Sequence, residues 1–213
     1  MPFIKSRFIR FLKGGYFYAV FGILFLVAGV TNVSSMSNSR DEQRRVAAIK
    51  ATYLTHLINF TYWNKESTVN NKTLPKILII GKDSHGLVES FRFLADRTKL
   101  SIQNREVEII HFEKESISEC LKLVRSIKPK VIFLLPSSQL QIKEVRKLSL
   151  GSLIIGNGPS EVLKNGADIS FVYSKNRVRL SVNEKMFTGE SPKLSSRLSI
   201  LRNVLEIIPE KNR

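Results

Sequence analysis

Short apolar runs alternate with amphipathic stretches along most of this chain. Four runs predict strands buried in a sheet, at residues 76–81, 107–110, 131–135 and 152–156. Three stretches between them repeat apolar residues at three- and four-residue steps and predict helices, at 87–94, 117–127 and 140–148. Strands and helices that alternate in short units predict an α/β fold, in which a largely parallel sheet carries helices on both faces.

The two ends of the domain depart from this alternation. A helix is predicted from Arg40 to about Trp63, with its apolar stripe at Val46, Ile49, Tyr53, Leu57 and Phe60, and with Arg44, Arg45 and Lys50 off the stripe. Near the other end, 169–173 and 178–182 predict a hairpin with a polar tip. The spacing of Leu194, Leu198, Leu201, Val204 and Leu205 predicts a final amphipathic helix.

The first 39 residues predict export. Four cations, Lys5, Arg7, Arg10 and Lys13, precede a stretch at 16–30 that carries no charge. This is the pattern of a secretory signal, and residues 14–33 just reach the ~20 residues that a membrane-spanning helix needs. We therefore predict a signal peptide or membrane anchor at 1–39 and an α/β domain at 40–213, located outside the cytoplasm.

The charge is strongly positive, with 34 Lys and Arg against 18 Asp and Glu and a formal net charge of +16. The cations are spread over every segment, no nucleic-acid-binding motif is present, and export removes the usual nucleic-acid partner. Attraction to an anionic membrane surface, or simple solubility, accounts for the charge more economically.

Motifs for catalysis or metal binding are weak. The three histidines, His56, His85 and His111, are dispersed without the spacing of metal ligands. The segment 81–84 (GKDS) lacks the upstream glycine of a phosphate loop and predicts a strand-to-helix turn capped by Asp83 or Ser84. Cys120 is the only cysteine and lies on a predicted amphipathic helix, where we expect it to be buried. We predict no catalytic residue, no metal and no cofactor.

Two blocks of the sequence resemble YfiR-like proteins. The first block matches the opening helix of that family at Lys50, Ala51, Tyr53, Leu54, Phe60 and Trp63. The second block matches its late glycine, strand and helix start at Gly166, Ile169, Phe171, 176–179, Asn183 and 193–198. Between the blocks, 79–83 and the strand at 131–135 fall where the family expects them, so that the resemblance covers roughly residues 46–206.

The resemblance implies a periplasmic, typically dimeric, non-enzymatic regulator. Such a protein binds and represses a membrane-bound diguanylate cyclase, which controls cyclic-di-GMP and biofilm formation; a membrane histidine kinase is another possible partner. Candidate partner-binding residues lie in the two family-like blocks: Arg177, Arg179, Asn183, Arg197 and Trp63. The family often carries cysteine pairs, so the single Cys120 argues against control through an internal disulfide.

A second function stays open. Parallel α/β sheets bind small molecules in the crevice at the carboxyl ends of their strands, so the domain could instead be a periplasmic ligand-binding module of a sensor or transport system. A neighbouring gene for a transport permease would favour the ligand-binding function. A neighbouring gene for a membrane cyclase or kinase would favour the regulator.

Overall fold

The computed structural model describes residues 39–63, 73–113, 116–158, 161–189, 192–200 and 203–209. Five α-helices lie in these ranges: α1 (Ser39–Asn59), α2 (Leu87–Thr98), α3 (Ile117–Ile127), α4 (Ile142–Leu148) and α5 (Lys185–Thr188). A π-helix at Glu161–Asn165 and a 3-10 helix at Ser196–Ile200 add one short turn each.

Eleven strands lie in the same ranges. They are β1 (Thr61–Tyr62), β2 (Lys76–Ile80), β3 (Ser101–Ile102), β4 (Arg105–Glu106), β5 (Glu108–Phe112), β6 (Val131–Leu134), β7 (Leu153–Asn157), β8 (Ile169–Ser174), β9 (Arg177–Asn183), β10 (Lys193–Leu194) and β11 (Leu205–Ile208). Seven of them form the central sheet, and the other four form two short ribbons, β1 with β10 and β3 with β4.

The central sheet confirms the predicted α/β fold. Its strand order is β11-β9-β8-β7-β6-β2-β5, and β5, β2, β6, β7 and β8 are all parallel. The order of these five is that of doubly wound α/β folds in which the first strand lies between the second and the third. The predicted hairpin is also present, because β8 and β9 pair antiparallel around a tip at Lys175 and Asn176.

Helices cover both faces of the sheet, as predicted. Side chains of α1 and α2 pack on one face against Ile77 and Ile79 of β2. Side chains of α3 and α4 pack on the other face against Leu78 and Ile80. Because successive strand residues point to opposite faces, a strand with helices on both sides needs an unbroken apolar run, and KILII at 76–80 supplies one.

The buried side of α1 is turned relative to the predicted stripe. Its fully buried positions include Ala47, Ala51 and Leu54, whereas the predicted Val46 and Tyr53 are only partly buried against the same core. Alanines have small side chains, so they let the helix approach the sheet closely. The helix also ends at Asn59, four residues before Trp63, because the chain continues into β1.

Lys50 is half-buried instead of solvated. Its Nζ donates to Asn157 Oδ1 at 2.7 Å, and Asn157 Nδ2 donates to Leu134 O at 2.9 Å. Its Nζ also lies 5.8 Å from the centre of the Phe171 ring. Burial lowers the pKa of Lys50. This lysine therefore ties α1 to the carboxyl ends of β6 and β7, a role that its place off the apolar stripe did not predict.

The predicted final helix is wrong. Lys193–Leu194 pairs antiparallel with β1, residues 196–200 form only a 3-10 turn, and Leu205–Ile208 pairs parallel with β9 as β11. Without β11, β9 would be an edge strand with exposed backbone donors and acceptors. Pairing with these groups determines the conformation of the segment, whereas its apolar spacing is compatible with a helix.

The predicted signal peptide or anchor at 1–39, including the possible tether at 14–33, lies outside the described residues except for Ser39. Among the helices that the structure does describe, none is long and apolar enough to span a bilayer.

Candidate functional site

Two of the predicted partner-binding residues share one exposed surface. Arg177 and Arg179 lie on β9 next to the hairpin tip, opposite Ser174 and Val172 of β8. Val178 between them is buried on the α1 side of the sheet, so the two arginines project from the other side. Two residues of a strand span about 7 Å. Within the described ranges, neither guanidinium forms an ion pair.

Asn183 lies at the opposite end of β9. Its Oδ1 accepts a hydrogen bond from the backbone N–H of Lys185 at 3.1 Å and so caps α5. This contact ties the Asn183 side chain to the start of α5 within the domain. Six residues separate Asn183 from Arg177, which corresponds to about 20 Å along an extended strand.

Trp63 and Arg197 flank the β1–β10 ribbon. The ribbon is held by pairing of Thr61 with Leu194 and by a bond from Ser195 N to Phe60 O at 2.8 Å. Trp63 follows β1 and is partly buried against the core, and no described residue accepts a hydrogen bond from its buried Nε1. Arg197 is exposed on the 3-10 helix. The structure therefore separates the hairpin arginines from Asn183, and their role in partner binding stays a prediction.

A cleft lies at the carboxyl edge of the sheet, where the sequence analysis expected a ligand-binding crevice without predicting which residues line it. It encloses about 140 Å³ between the ends of the neighbouring strands β2 and β6. Its lining comprises Ile80, Gly81, Lys82, Glu113, Ile117, Cys120, Ser137, Ser138, Gln139 and Leu140. The sequence contains a signal for these lining residues. Polar segments directly follow the apolar runs of both strands, and the ends of neighbouring parallel strands meet at one edge of the sheet.

The turn after β2 is fixed by contacts from both neighbouring strand ends. Ser137 Oγ accepts from Lys82 N at 2.6 Å and donates to Lys82 O at 3.2 Å. On the other side, His111 Nε2 lies 2.8 Å from Gly81 O, so this nitrogen carries the proton and donates. The position of Lys82 at the cleft is thus set by hydrogen bonds within the domain.

The start of α2 is occupied by a carboxylate. Asp83 accepts from the backbone N–H groups of Leu87 at 3.0 Å and Val88 at 2.8 Å. The predicted strand-to-helix turn is present, but the N-cap residue is Gly86 and not Asp83 or Ser84; Asp83 binds the first N–H groups of the helix from three residues further upstream. These two N–H groups are therefore satisfied internally.

Cys120 is buried, as predicted. It belongs to the core between the sheet and helices α3 and α4, and it also lines the cleft. Burial raises the pKa of its thiol. Among the described residues, no group of three His, Cys, Asp or Glu side chains could hold a metal ion.

Replacement of Cys120 by serine is expected to lower the free energy of unfolding by about 1–2 kcal/mol, because a buried hydroxyl needs a hydrogen-bond partner more than a thiol does. Cys120→Ala is the matched control, since it removes the sulfur without adding a polar group. Urea denaturation followed by circular dichroism measures both. A serine variant with wild-type stability whose signalling no longer responds to oxidants would contradict the structural role.

The fold and the cleft together define a doubly wound α/β domain with a crevice between strands whose connections diverge. Comparison with known proteins then identifies the family: the YfiR/HmsC-like family matches residues 47–201. The chain belongs to this family, as the two sequence blocks predicted. No curated protein matches the chain.

Among solved structures, the chain is similar to an ABC transporter substrate-binding protein from Desulfitobacterium hafniense in complex with Leu. The identity is 12% and the TM-score 0.36, and the match covers 62% of this chain and 36% of that chain. The chain thus spans about a third of the solved protein's length.

Proposed function

We propose that this chain is a non-enzymatic periplasmic regulator that binds and represses a membrane-bound diguanylate cyclase, and thereby lowers cyclic-di-GMP and biofilm formation. The match to the YfiR/HmsC-like family over residues 47–201 carries the proposal, because members of this family are regulatory. The same family likeness supports a homodimer and leaves a membrane histidine kinase as the other kind of partner.

The N-terminal sequence supports the proposed periplasmic location. A basic stretch followed by an uncharged stretch at 16–30 directs residues 40–213 out of the cytoplasm. The domain is then either released by cleavage or held at the inner membrane by residues 14–33. Both arrangements give it access to the periplasmic part of a membrane enzyme, and its positive charge also favours contact with the anionic membrane surface.

The hairpin arginines are the proposed contact with the partner. Arg177 and Arg179 project from one side of β9, and their backbone positions lie about 7 Å apart on a hydrogen-bonded strand, so a partner meets two neighbouring guanidinium groups. Arginine is enriched at interface hot spots, and its planar fork suits bidentate contact with carboxylates. Trp63 and Arg197 flank the β1–β10 ribbon, and Asn183 lies at the end of β9 away from the hairpin tip; we propose these positions as further parts of the contact.

Charge reversal tests this proposal. The double variant Arg177→Glu with Arg179→Glu, expressed from the native locus, is expected to raise cellular cyclic-di-GMP to the level of the gene deletion, because two like charges would face the partner's carboxylates. The matched control is Arg92→Glu with Arg97→Glu, which makes the same change in net charge at two exposed positions of α2. Immunoblots of the envelope fraction check that each variant is exported and stable.

Two results would contradict the proposal at different levels. If deletion of the gene leaves cyclic-di-GMP unchanged, the chain does not regulate a diguanylate cyclase. If deletion raises it but the reversed hairpin still represses fully, the regulator stands and the hairpin is not its contact; Trp63→Ala and Arg197→Glu then test the ribbon region separately.

A further inference from the structure

The cleft lies where the chain connections of the sheet diverge. After β2 the chain crosses through α2 to β5 on one side, whereas after β6 it crosses through α4 to β7 on the other side. These helices also lie on opposite faces of the sheet. The connections that leave β2 and β6 therefore diverge from the carboxyl edge between these two strands, which is the place where open α/β sheets bind ligands.

The walls of the cleft combine an apolar lining with a polar rim. The apolar lining consists of Ile80, Cys120 and Leu140, which are buried, and of Ile117, which is 41% exposed. At the rim, Glu113 follows β5, Lys82 follows β2, and the polar residues 137–139 follow β6. An apolar cavity with a few convergent polar groups is typical of small-molecule sites. A volume of about 140 Å³ limits the occupant to a small molecule.

The rim carries one charge of each sign. Lys82 is exposed, and the Glu113 side chain is 58% exposed, with its Oε1 3.6 Å from His111 Nε2. Ser137 and His111 hold the backbone of the Lys82 turn, which fixes the point at which the Lys82 side chain leaves the edge of the sheet. A backbone that is fixed before binding reduces the entropy that binding loses.

We propose that this cleft binds a small aliphatic zwitterion, such as a short α-amino acid. The carboxylate of the ligand contacts the Lys82 ammonium, and its ammonium contacts the Glu113 carboxylate. The aliphatic part lies on Ile80, Ile117 and Leu140. This site is separate from the hairpin arginines, and the proposal holds whether or not the chain regulates a cyclase.

The probe is L-valine, measured by isothermal titration calorimetry on the full-length chain purified in detergent. Three analogues each lack one feature: isobutylamine lacks the carboxylate, 3-methylbutanoate lacks the ammonium group, and glycine lacks the apolar part. Valine is expected to bind at least about tenfold more tightly than each analogue, because every feature has its own contact in the cleft. No detectable valine binding, or equal binding of an analogue, overturns the proposal.

Two substitutions locate the site. Lys82→Met is expected to weaken valine about tenfold and leave isobutylamine unchanged, whereas Glu113→Gln weakens valine and leaves 3-methylbutanoate unchanged. The matched controls are Lys147→Met and Glu206→Gln, which remove the same charges at exposed positions away from the cleft lining. If valine affinity is the same in both cleft variants as in the wild type, the ligand does not occupy this cleft and the proposal fails.

Discussion

Replacement of Asp168 by alanine is expected to destabilise the domain by about 3–5 kcal/mol, since it leaves a largely buried cation without its partner. The Asp168 side chain is only 3% exposed. Its Oδ2 lies 2.6 Å from Arg146 Nη2 and accepts from the backbone N–H of Ile154 at 2.8 Å. A loss of this size is a large share of the roughly 5–15 kcal/mol that stabilises a typical domain.

Asp168 joins three elements through its backbone and its side chain. The Asp168 backbone donates to Ile154 O on β7 and accepts from Asn183 N on β9, while Arg146 reaches it from α4. Arg146 also donates to Ser152 O at 3.0 Å. Loss of the carboxylate therefore weakens the contact of α4 with the amino ends of β7 and β8.

A double-variant cycle measures the pair. The free energy of unfolding of Asp168→Ala, Arg146→Met and the double variant is measured by urea denaturation. The loss in the double variant should be smaller than the sum of the losses in the two single variants, because the double variant no longer contains the unpaired Arg146 charge. Lys185→Met is the control: its Nζ lies 3.8 Å from Asp168 Oδ1 and is 39% exposed, so about 0–1 kcal/mol is expected. Additive losses would show that the ion pair contributes nothing.

Replacement of Gly81 by alanine should have the second large effect, a loss of about 2–4 kcal/mol, because backbone strain and steric overlap add together. Gly81 has φ +117°, a conformation that residues with a Cβ rarely adopt. An added Cβ would lie 2.8 Å from Ser137 Oγ, 3.0 Å from Leu135 Cβ and 3.1 Å from Ser138 N. The overlap would push apart the strand ends that form the cleft.

Gly151→Ala is the matched control. Gly151 also has a positive φ, +88°, but no atom lies within 4 Å of the position of an added Cβ. This variant should lose only the conformational part, about 1–2 kcal/mol. The difference between the two variants in urea denaturation gives the steric part. Equal losses would show that the β2–β6 edge can open without cost.

The strands of the central sheet could be predicted because parallel strands buried on both faces need continuous apolar runs. The runs at 76–80, 131–134 and 153–157 are of this kind, and all three are strands in the structure. The hairpin could also be predicted, because its polar tip separates two segments rich in β-branched and aromatic residues. The family likeness depended on residues in α1, in the hairpin strands and at 193–198.

The conformation of the last segment depended on pairing partners that are distant in sequence. The spacing from Leu194 to Leu205 fits one face of a helix, but β1 and β9 offer backbone donors and acceptors to residues 193–194 and 205–208. Apolar periodicity indicates which residues are buried. It does not indicate which strand edge is available for pairing.

The polar contacts that hold the sites together were also decided by the tertiary structure. Lys50 and its partner Asn157 are 107 residues apart, and Lys82 and Ser137 are 55 residues apart. The sequence by itself determined the α/β class, the buried strands and the family. Only the fold determined which residues line the cleft, how far the hairpin arginines lie from Asn183, and that Asp168 is buried. Each of these depends on which strand ends and side chains meet in the folded sheet.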